Sequence, residues 1–233
     1  MMGPLYKEFP KTMSAGDFWR QIKRTVNGEP VSEEQIAMIV TAIEQSLQLK
    51  PEDQLLDLAC GNGALSRYFF DQCSGFLGVD LSEVLIDVAR RYFGQDGREF
   101  LLADVGDYIL AEKHPERFTK VLCYGSFSYF PEQTARAVLT RLHRDFVRVE
   151  RIFLGNLPDL ALQHLFYNDG LDHSAELENA DSLIGVWRSE DEMRQLAQDC
   201  GWHAAISRMP PAFYASHYRY DVLLTRGPQG DAD

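Results

Sequence analysis

The chain has 233 residues, 45% of them apolar, which is enough for one sizeable core. Its 35 acidic and 23 basic side chains leave a formal net charge of −12. A phosphate-binding surface needs clustered Lys and Arg, so a broad nucleic-acid partner is excluded and a small-molecule substrate is favoured, with the oligomeric state left open.

The N-terminus carries Pro4, Lys7, Glu8 and Pro10 instead of an apolar signal core, and no apolar run approaches the ~20 residues a membrane span requires. Cys60, Cys73, Cys123 and Cys200 form no C-x-x-C pair and read as reduced core residues, so a cytoplasmic protein without a membrane span is expected. Helical patterns at 15–26 and 33–49 form an N-terminal helical cap over residues 1–50. The second starts at Ser32 and lines up Ile36, Ile39, Val40, Ile43 and Leu47 on one face. Residues 51–226 form the main domain. Strands predicted at 55–59, 76–80, 99–103, 120–124 and 151–155 alternate with helices near 64–73, 82–93, 105–112 and 132–146, the pattern of βαβ units with helices on both faces of a parallel sheet. The stretch 156–187 breaks this rhythm and reads as an insert on the substrate side. A helix at 189–200 follows, with Ser189 and Glu192 spaced as a capping box. Strands near 203–208 and 218–226 are joined too briefly for a parallel return, so the terminal strand should be antiparallel. Residues 227–233 read as a polar tail.

The junction Asp57-Leu58-Ala59-Cys60-Gly61-Asn62-Gly63 reads as a strand end and a glycine turn where backbone approaches a ligand. Asp57 would repel a pyrophosphate and attract a cofactor with an ammonium and a sulfonium, which favours S-adenosylmethionine (SAM) over NAD. Asp80 ends the second strand about 20 residues on, where a carboxylate accepts from ribose hydroxyls. Asp104 ends the third, placed to accept from an adenine amino group while the Val105 N–H serves a ring nitrogen. An NAD-linked oxidoreductase is the weaker alternative, because Ser66 stands where the third glycine of a dinucleotide fingerprint would be.

Over about residues 30–226 the chain resembles the class I SAM-dependent methyltransferases. Asp57–Gly63 is similar to their motif I, Gly78-Val79-Asp80-Leu81-Ser82 to their acidic ribose motif and Ala103-Asp104-Val105 to their adenine motif. Ala59 stands where the first glycine is commonest. The resemblance implies a Rossmann-like α/β fold, a seven-stranded, mainly parallel sheet with an antiparallel terminal strand. It implies cofactor contacts from Asp57, Ala59, Gly61, Gly63, Asp80, Leu81, Asp104 and Val105, with Tyr124 or Gly125 bordering the sulfonium. A SAM-binding module without catalysis is the other alternative.

The fourth strand ends in Tyr124-Gly125-Ser126-Phe127, without the Asn/Asp-Pro-Pro-Tyr/Phe tetrad of nucleobase methyltransferases and without metal-ligand spacing, so no metal is expected. Methyl transfer to a hydroxyl needs positioning and removal of a proton. His164, His173 and His217 are the candidate bases, and Tyr129, Tyr167, Tyr214 and Arg219 the candidate substrate contacts. The expected acceptor is a hydroxyl of a sugar or related small polar metabolite. The insert, ending in Ile184-Gly185-Val186-Trp187, is similar to methyltransferases associated with bacterial glycan modification.

Overall fold

The computed structural model describes residues 8–227, so most of the predicted tail lies outside the described residues. Strands β3 (Gln54–Leu58), β4 (Gly75–Asp80), β5 (Arg98–Leu102), β6 (Lys120–Tyr124), β7 (Arg151–Pro158), β8 (Trp202–Ser207) and β9 (Arg219–Arg226) form a seven-stranded sheet. Its order is β5-β4-β3-β6-β7-β9-β8. All neighbours from β5 to β7 are parallel, and β9 lies antiparallel between β7 and β8. Every residue of β4 and β6 is buried, as expected of parallel strands covered on both faces.

The strand alternation divides the core into two clusters. Leu56, Val79, Val121 and Ile152 point to one face, where α4 (Val105–Ala111), α5 (Glu132–Asp145) and α7 (Glu190–Asp199) pack through Ile109, Leu139 and Met193. Leu55, Phe76, Leu122 and Phe153 point to the other, covered by α2 (Glu33–Leu47) and α3 (Glu83–Phe93). In α2, Ile36, Ile39, Ile43 and Leu47 are all buried, so this helix belongs to the layer covering the sheet rather than to a separate cap. The capping box at α7 forms as expected: the Ser189 hydroxyl accepts from the Glu192 N–H, and the Glu192 carboxylate accepts from the Ser189 N–H.

Two local expectations change, and the insert takes on short elements of its own. The helix predicted at 15–26 shrinks to α1 (Phe18–Gln21), followed by a small hairpin of β1 (Thr25–Val26) and β2 (Glu29–Pro30). Asn27 and Gly28 at its tip both take positive φ, the Asn-Gly turn that matches strand twist. The helix predicted at 64–73 is a 3-10 segment, Ser66–Gln72, because the Ser66 hydroxyl is drawn inward to Asp57 while Phe69 and Phe70 are buried together. The insert after β7 holds a 3-10 segment, Leu160–Leu165, and one short helix, α6 (Ser174–Leu177). Among the described residues no helix is long and apolar enough to cross a membrane.

Candidate functional site

The carboxyl ends of the parallel strands open into a cavity of about 550 Å³. At its floor β3 runs into a turn where Ala59, Gly61 and Gly63 take φ of 58°, 58° and 75°. Ala59 therefore holds a left-handed conformation that favours glycine, and alanine meets it with the smallest side chain. A Cβ on Gly63 would stand 2.9 Å from the Phe100 ring, so this turn is closed to larger residues.

The three acidic strand ends sit side by side along one wall. Asp57 is buried, and its Oδ2 accepts from the Ser66 hydroxyl at 2.5 Å. Burial pushes its carboxyl up to about 7; the Ser66 bond opposes that and the neighbouring Asp80 adds to it. Asp80 accepts from the Gly61 N–H at 2.9 Å through Oδ2 and from the Ser82 N–H at 2.8 Å through Oδ1, and burial raises its pKa against these bonds. Asp104 caps α4, its Oδ1 accepting from the Gly106 N–H at 2.8 Å. Leu81 and Val105 line the cavity beside them.

Three N–H groups of the turn are occupied from within the chain. Gly61 donates to Asp80, Gly63 to the Cys60 carbonyl and Ala64 to the Asn62 side chain. The segment that follows is 3-10, so the turn does not open an α-helix as the usual pyrophosphate cradle does.

The opposite wall is aromatic, with Tyr129, Phe166, Tyr214 and Tyr218. Tyr124, at the end of β6, stacks on Phe153 at 6.5 Å, and a Cβ on Gly155 would reach within 2.2 Å of its ring. The Arg24 guanidinium covers that ring, 4.7 Å from its centroid. Asn156 sits at a register shift of β7 with φ of +65°, a bulge conformation that costs strain and re-aims a side chain. It is clamped from both sides: its N–H donates to Asp221 Oδ1 at 2.6 Å, and its carbonyl accepts from Arg219 Nη1. Burial pushes the Asp221 carboxyl up to about 6.

Eight buried side-chain polar atoms lack a hydrogen-bond partner among the described residues. Five of them, Arg24 Nε and Nη1, Ser82 Oγ, Tyr124 Oη and Asn156 Oδ1, belong to residues lining this cavity. Buried polar groups are nearly always paired, so this concentration singles out the cavity as the place where partners from outside the chain are called for.

Of the expected contacts, Asp57, Ala59, Gly61, Asp80, Leu81, Asp104, Val105, Tyr124, Tyr129, Tyr214 and Arg219 line the cavity, with Gly63 behind the turn. The three histidines do not line it. His217 is exposed, with its ring against the edge of Tyr218. His164 and His173 lie with Tyr167 around a separate hollow of about 350 Å³ in the insert. There His173 stacks on Tyr167 at 4.1 Å between Asp169 at 2.9 Å and Glu176 at 3.2 Å, and hydrogen bonds to Asp169 and then Glu176 raise its pKa. The insert is instead pinned by Ser128 and Tyr129, whose hydroxyls donate to the carbonyls of Ile184 and Leu183. Sequence reading passed over Arg24, Asn156 and Asp221. The Asn27-Gly28 turn was the available signal that the chain reverses just after Arg24.

Residues 55–146 match the family model described as "Methyltransferase domain". A ubiquinone biosynthesis O-methyltransferase from Dechloromonas aromatica is 26% identical over 135 residues, 58% of this chain and 57% of that protein. One of the same name from Coxiella burnetii is 32% identical over 90 residues, 39% and 38% of the two chains. The chain thus spans about two fifths to just over half the length of these relatives. In fold it is similar to magnesium protoporphyrin IX methyltransferase from Synechocystis PCC 6803 with bound SAH, with TM-score 0.63 and 20% identity over 96% of this chain and 97% of that one. It is also similar to geranyl diphosphate C-methyltransferase from Streptomyces coelicolor A3(2), with TM-score 0.61 and 14% identity over 82% and 77%.

Proposed function

We propose that the chain is a class I SAM-dependent methyltransferase and that it methylates a hydroxyl oxygen of a small ring-bearing acceptor, a sugar or a phenol. One observation carries the reading: a single cavity joins three acidic strand ends to an aromatic wall that holds orphaned polar atoms.

The residues present fit the cofactor. Each Asp80 oxygen accepts one N–H and keeps room for a ribose hydroxyl, since a carboxylate offers about four acceptor sites. Asp57 and the Ala59–Gly63 turn suit the positively charged methionyl part, and Asp104 with the Val105 N–H suits adenine. When bound, SAM supplies an activated methyl group, and the electron pair of the broken C–S bond remains on sulfur. The chain itself has to orient the acceptor oxygen and exclude water. We assign orientation to the Tyr124 hydroxyl and the Asn156 amide oxygen, and water exclusion to the aromatic wall with the insert behind it. The O-methyltransferase name of the relatives favours oxygen as the acceptor atom, and the four aromatic rings favour a flat ring beside it.

The test is calorimetric titration of the full chain with S-adenosylhomocysteine (SAH), with NADH as control, followed by transfer of labelled methyl from SAM to catechol and to methyl glucoside. One-to-one binding of SAH alone with labelled ether product is expected. Binding without product from either acceptor class would favour the non-catalytic module, and binding of NADH alone would overturn the reading.

A further inference from the structure

Among the described residues, the charged groups lining the cavity are Asp57, Asp80 and Asp104 at the tips of β3 to β5, Lys23 and Arg24 from the stretch before the sheet, and Arg219. Arg219 is thus the one charged group on the side built by β6, β7, β9 and the insert. It opens β9, and because β9 runs antiparallel to β7 it pairs with Pro158, level with the carboxyl ends of the parallel strands. The sheet order places β6 and β7 between β9 and β3. Three inter-strand steps of about 4.8 Å therefore put Arg219 on the order of 14 Å across the sheet from the strand that carries Asp57.

The guanidinium is half-buried and held from two sides. Its Nη1 donates to the Asn156 carbonyl, and its carbon lies 4.8 Å from the centroid of the Tyr218 ring, which packs on Phe166 at 5.1 Å. The bond to Asn156 takes one of five N–H donors. Two other arginines of this region are paired with carboxylates, Arg208 with Asp159 and Glu190, and Arg188 with Glu132. No carboxylate lies in ion-pair reach of Arg219 among the described residues. Asp221, two residues on, is buried with Oδ1 committed to the Asn156 N–H. Burial pushes that carboxyl up to about 6, and the Arg219 charge is the weakest of the influences on it.

We propose that Arg219 binds an anionic group of the methyl acceptor, so that the acceptor is a ring carrying a carboxylate as well as the hydroxyl, a hydroxybenzoate or a uronate. This rests on the reading of the cavity as the site of a SAM-dependent O-methyltransferase and narrows its acceptor. The anion belongs to the acceptor because Arg219 stands across the sheet from the acidic strand ends and at the margin of the aromatic wall. A planar guanidinium pairs with a carboxylate through two parallel bonds, while the Tyr218 and Phe166 rings offer a face to a flat ring. An acidic ligand is repelled by a chain of net charge −12, so holding one requires a local cation of this kind. The bond to the Asn156 carbonyl also joins two tasks: the residue that reads the anion steadies the one assigned to orient the acceptor oxygen.

The experiment titrates the SAH-loaded full chain, as wild type, Arg219→Met and Arg219→Lys, with two matched pairs: 3,4-dihydroxybenzoate against catechol, and methyl glucuronide against methyl glucoside. The readout is the affinity ratio within a pair, because loss of the Asn156 bond alone would weaken both members alike. Wild type should bind the acid of one pair about tenfold more tightly than its neutral partner, and the pair that shows this separates an aromatic acid from a sugar acid. Arg219→Met should bring that ratio to within about twofold of one, and Arg219→Lys, which keeps the charge without the fork, should fall between. A wild type that favours neither acid, or a ratio that survives Arg219→Met, overturns the proposal. Wild-type protein that does not bind SAH removes the SAM reading itself, an outcome distinct from SAH binding without a preference for either acid.

Discussion

At one end of the cavity Asp57, Asp80 and Asp104 stand at the tips of three strands, each carboxylate already held by a hydroxyl or by backbone N–H groups close to the turn it serves. At the other, Tyr124, Asn156 and Arg219 arrive from three distant stretches of chain, and two of them leave buried polar atoms unpaired. The acid end is preorganised without a ligand. The far end carries the strain of the Asn156 bulge and the cost of orphaned donors, which a ligand would relieve.

The largest expected effect lies at the acid end. Asp80→Ala removes the acceptor for the Gly61 and Ser82 N–H groups together with the carboxylate that the proposed function assigns to ribose. SAH affinity should fall by more than about 100-fold in a protein that still melts cooperatively. Unchanged affinity in the folded variant would take Asp80 out of the site and blur the distinction between the two ends. Asn156→Ala should do the reverse. SAH binding stays within about twofold, while kcat/KM for catechol or another accepted hydroxyl drops about 30-fold. A matching loss of SAH affinity would show that the two ends are one site energetically.

This contrast also explains what could be read in the sequence. Each acidic strand end carries its neighbours with it: Asp57 precedes its glycine turn, Asp80 precedes Ser82, and Asp104 caps its own helix. Local pattern therefore sufficed for the alternation of strands and helices and for the three acidic strand ends that line the cavity, while the seven-strand arrangement came from the family resemblance. Asn156 has no such local signature, because its conformation is imposed by Asp221 and Arg219 on the last strand, about 65 residues away. Arg24 was hidden by a helical pattern that tertiary contacts and the Asn27-Gly28 turn override. The histidines misled because residue type nominated them, while the insert turns His164 and His173 to a separate hollow and His217 stays exposed before the last strand.

A smaller effect tests the electrostatics of the acid end. Asp57 has a folded pKa of about 7, raised from 3.8 mainly by burial, so the folded protein holds a proton there that the unfolded chain has released. The Asp57 contribution to stability is therefore fully present below about pH 4 and declines as pH rises towards 7. A ligand ammonium favours the ionised form, which reverses the sign for binding. SAH affinity should climb by about tenfold from pH 6 to pH 8, with roughly one proton released at the lower pH, and Asp57→Asn should flatten that slope. A flat wild-type profile would mean that the ammonium does not meet Asp57.

The smallest effects belong to the insert, and there the expectation is near silence. His173 gains its raised pKa from Asp169 and Glu176, so its stabilising contribution is complete below the unfolded value near 6.5 and fades as pH rises through the higher folded value. The two carboxylates are about half exposed, and such surface pairs count for little. His173→Gln should therefore shift the melting temperature by less than about 1 °C at pH 6 and by less still at pH 8. Methyl transfer by His164→Gln, His173→Gln and His217→Gln should each stay within about twofold of wild type, because no imidazole reaches the cavity. A tenfold loss of kcat with KM unchanged in any of the three would place a base on the insert side. The insert would then have to close over the acceptor, making the aromatic end a moving part rather than a fixed wall.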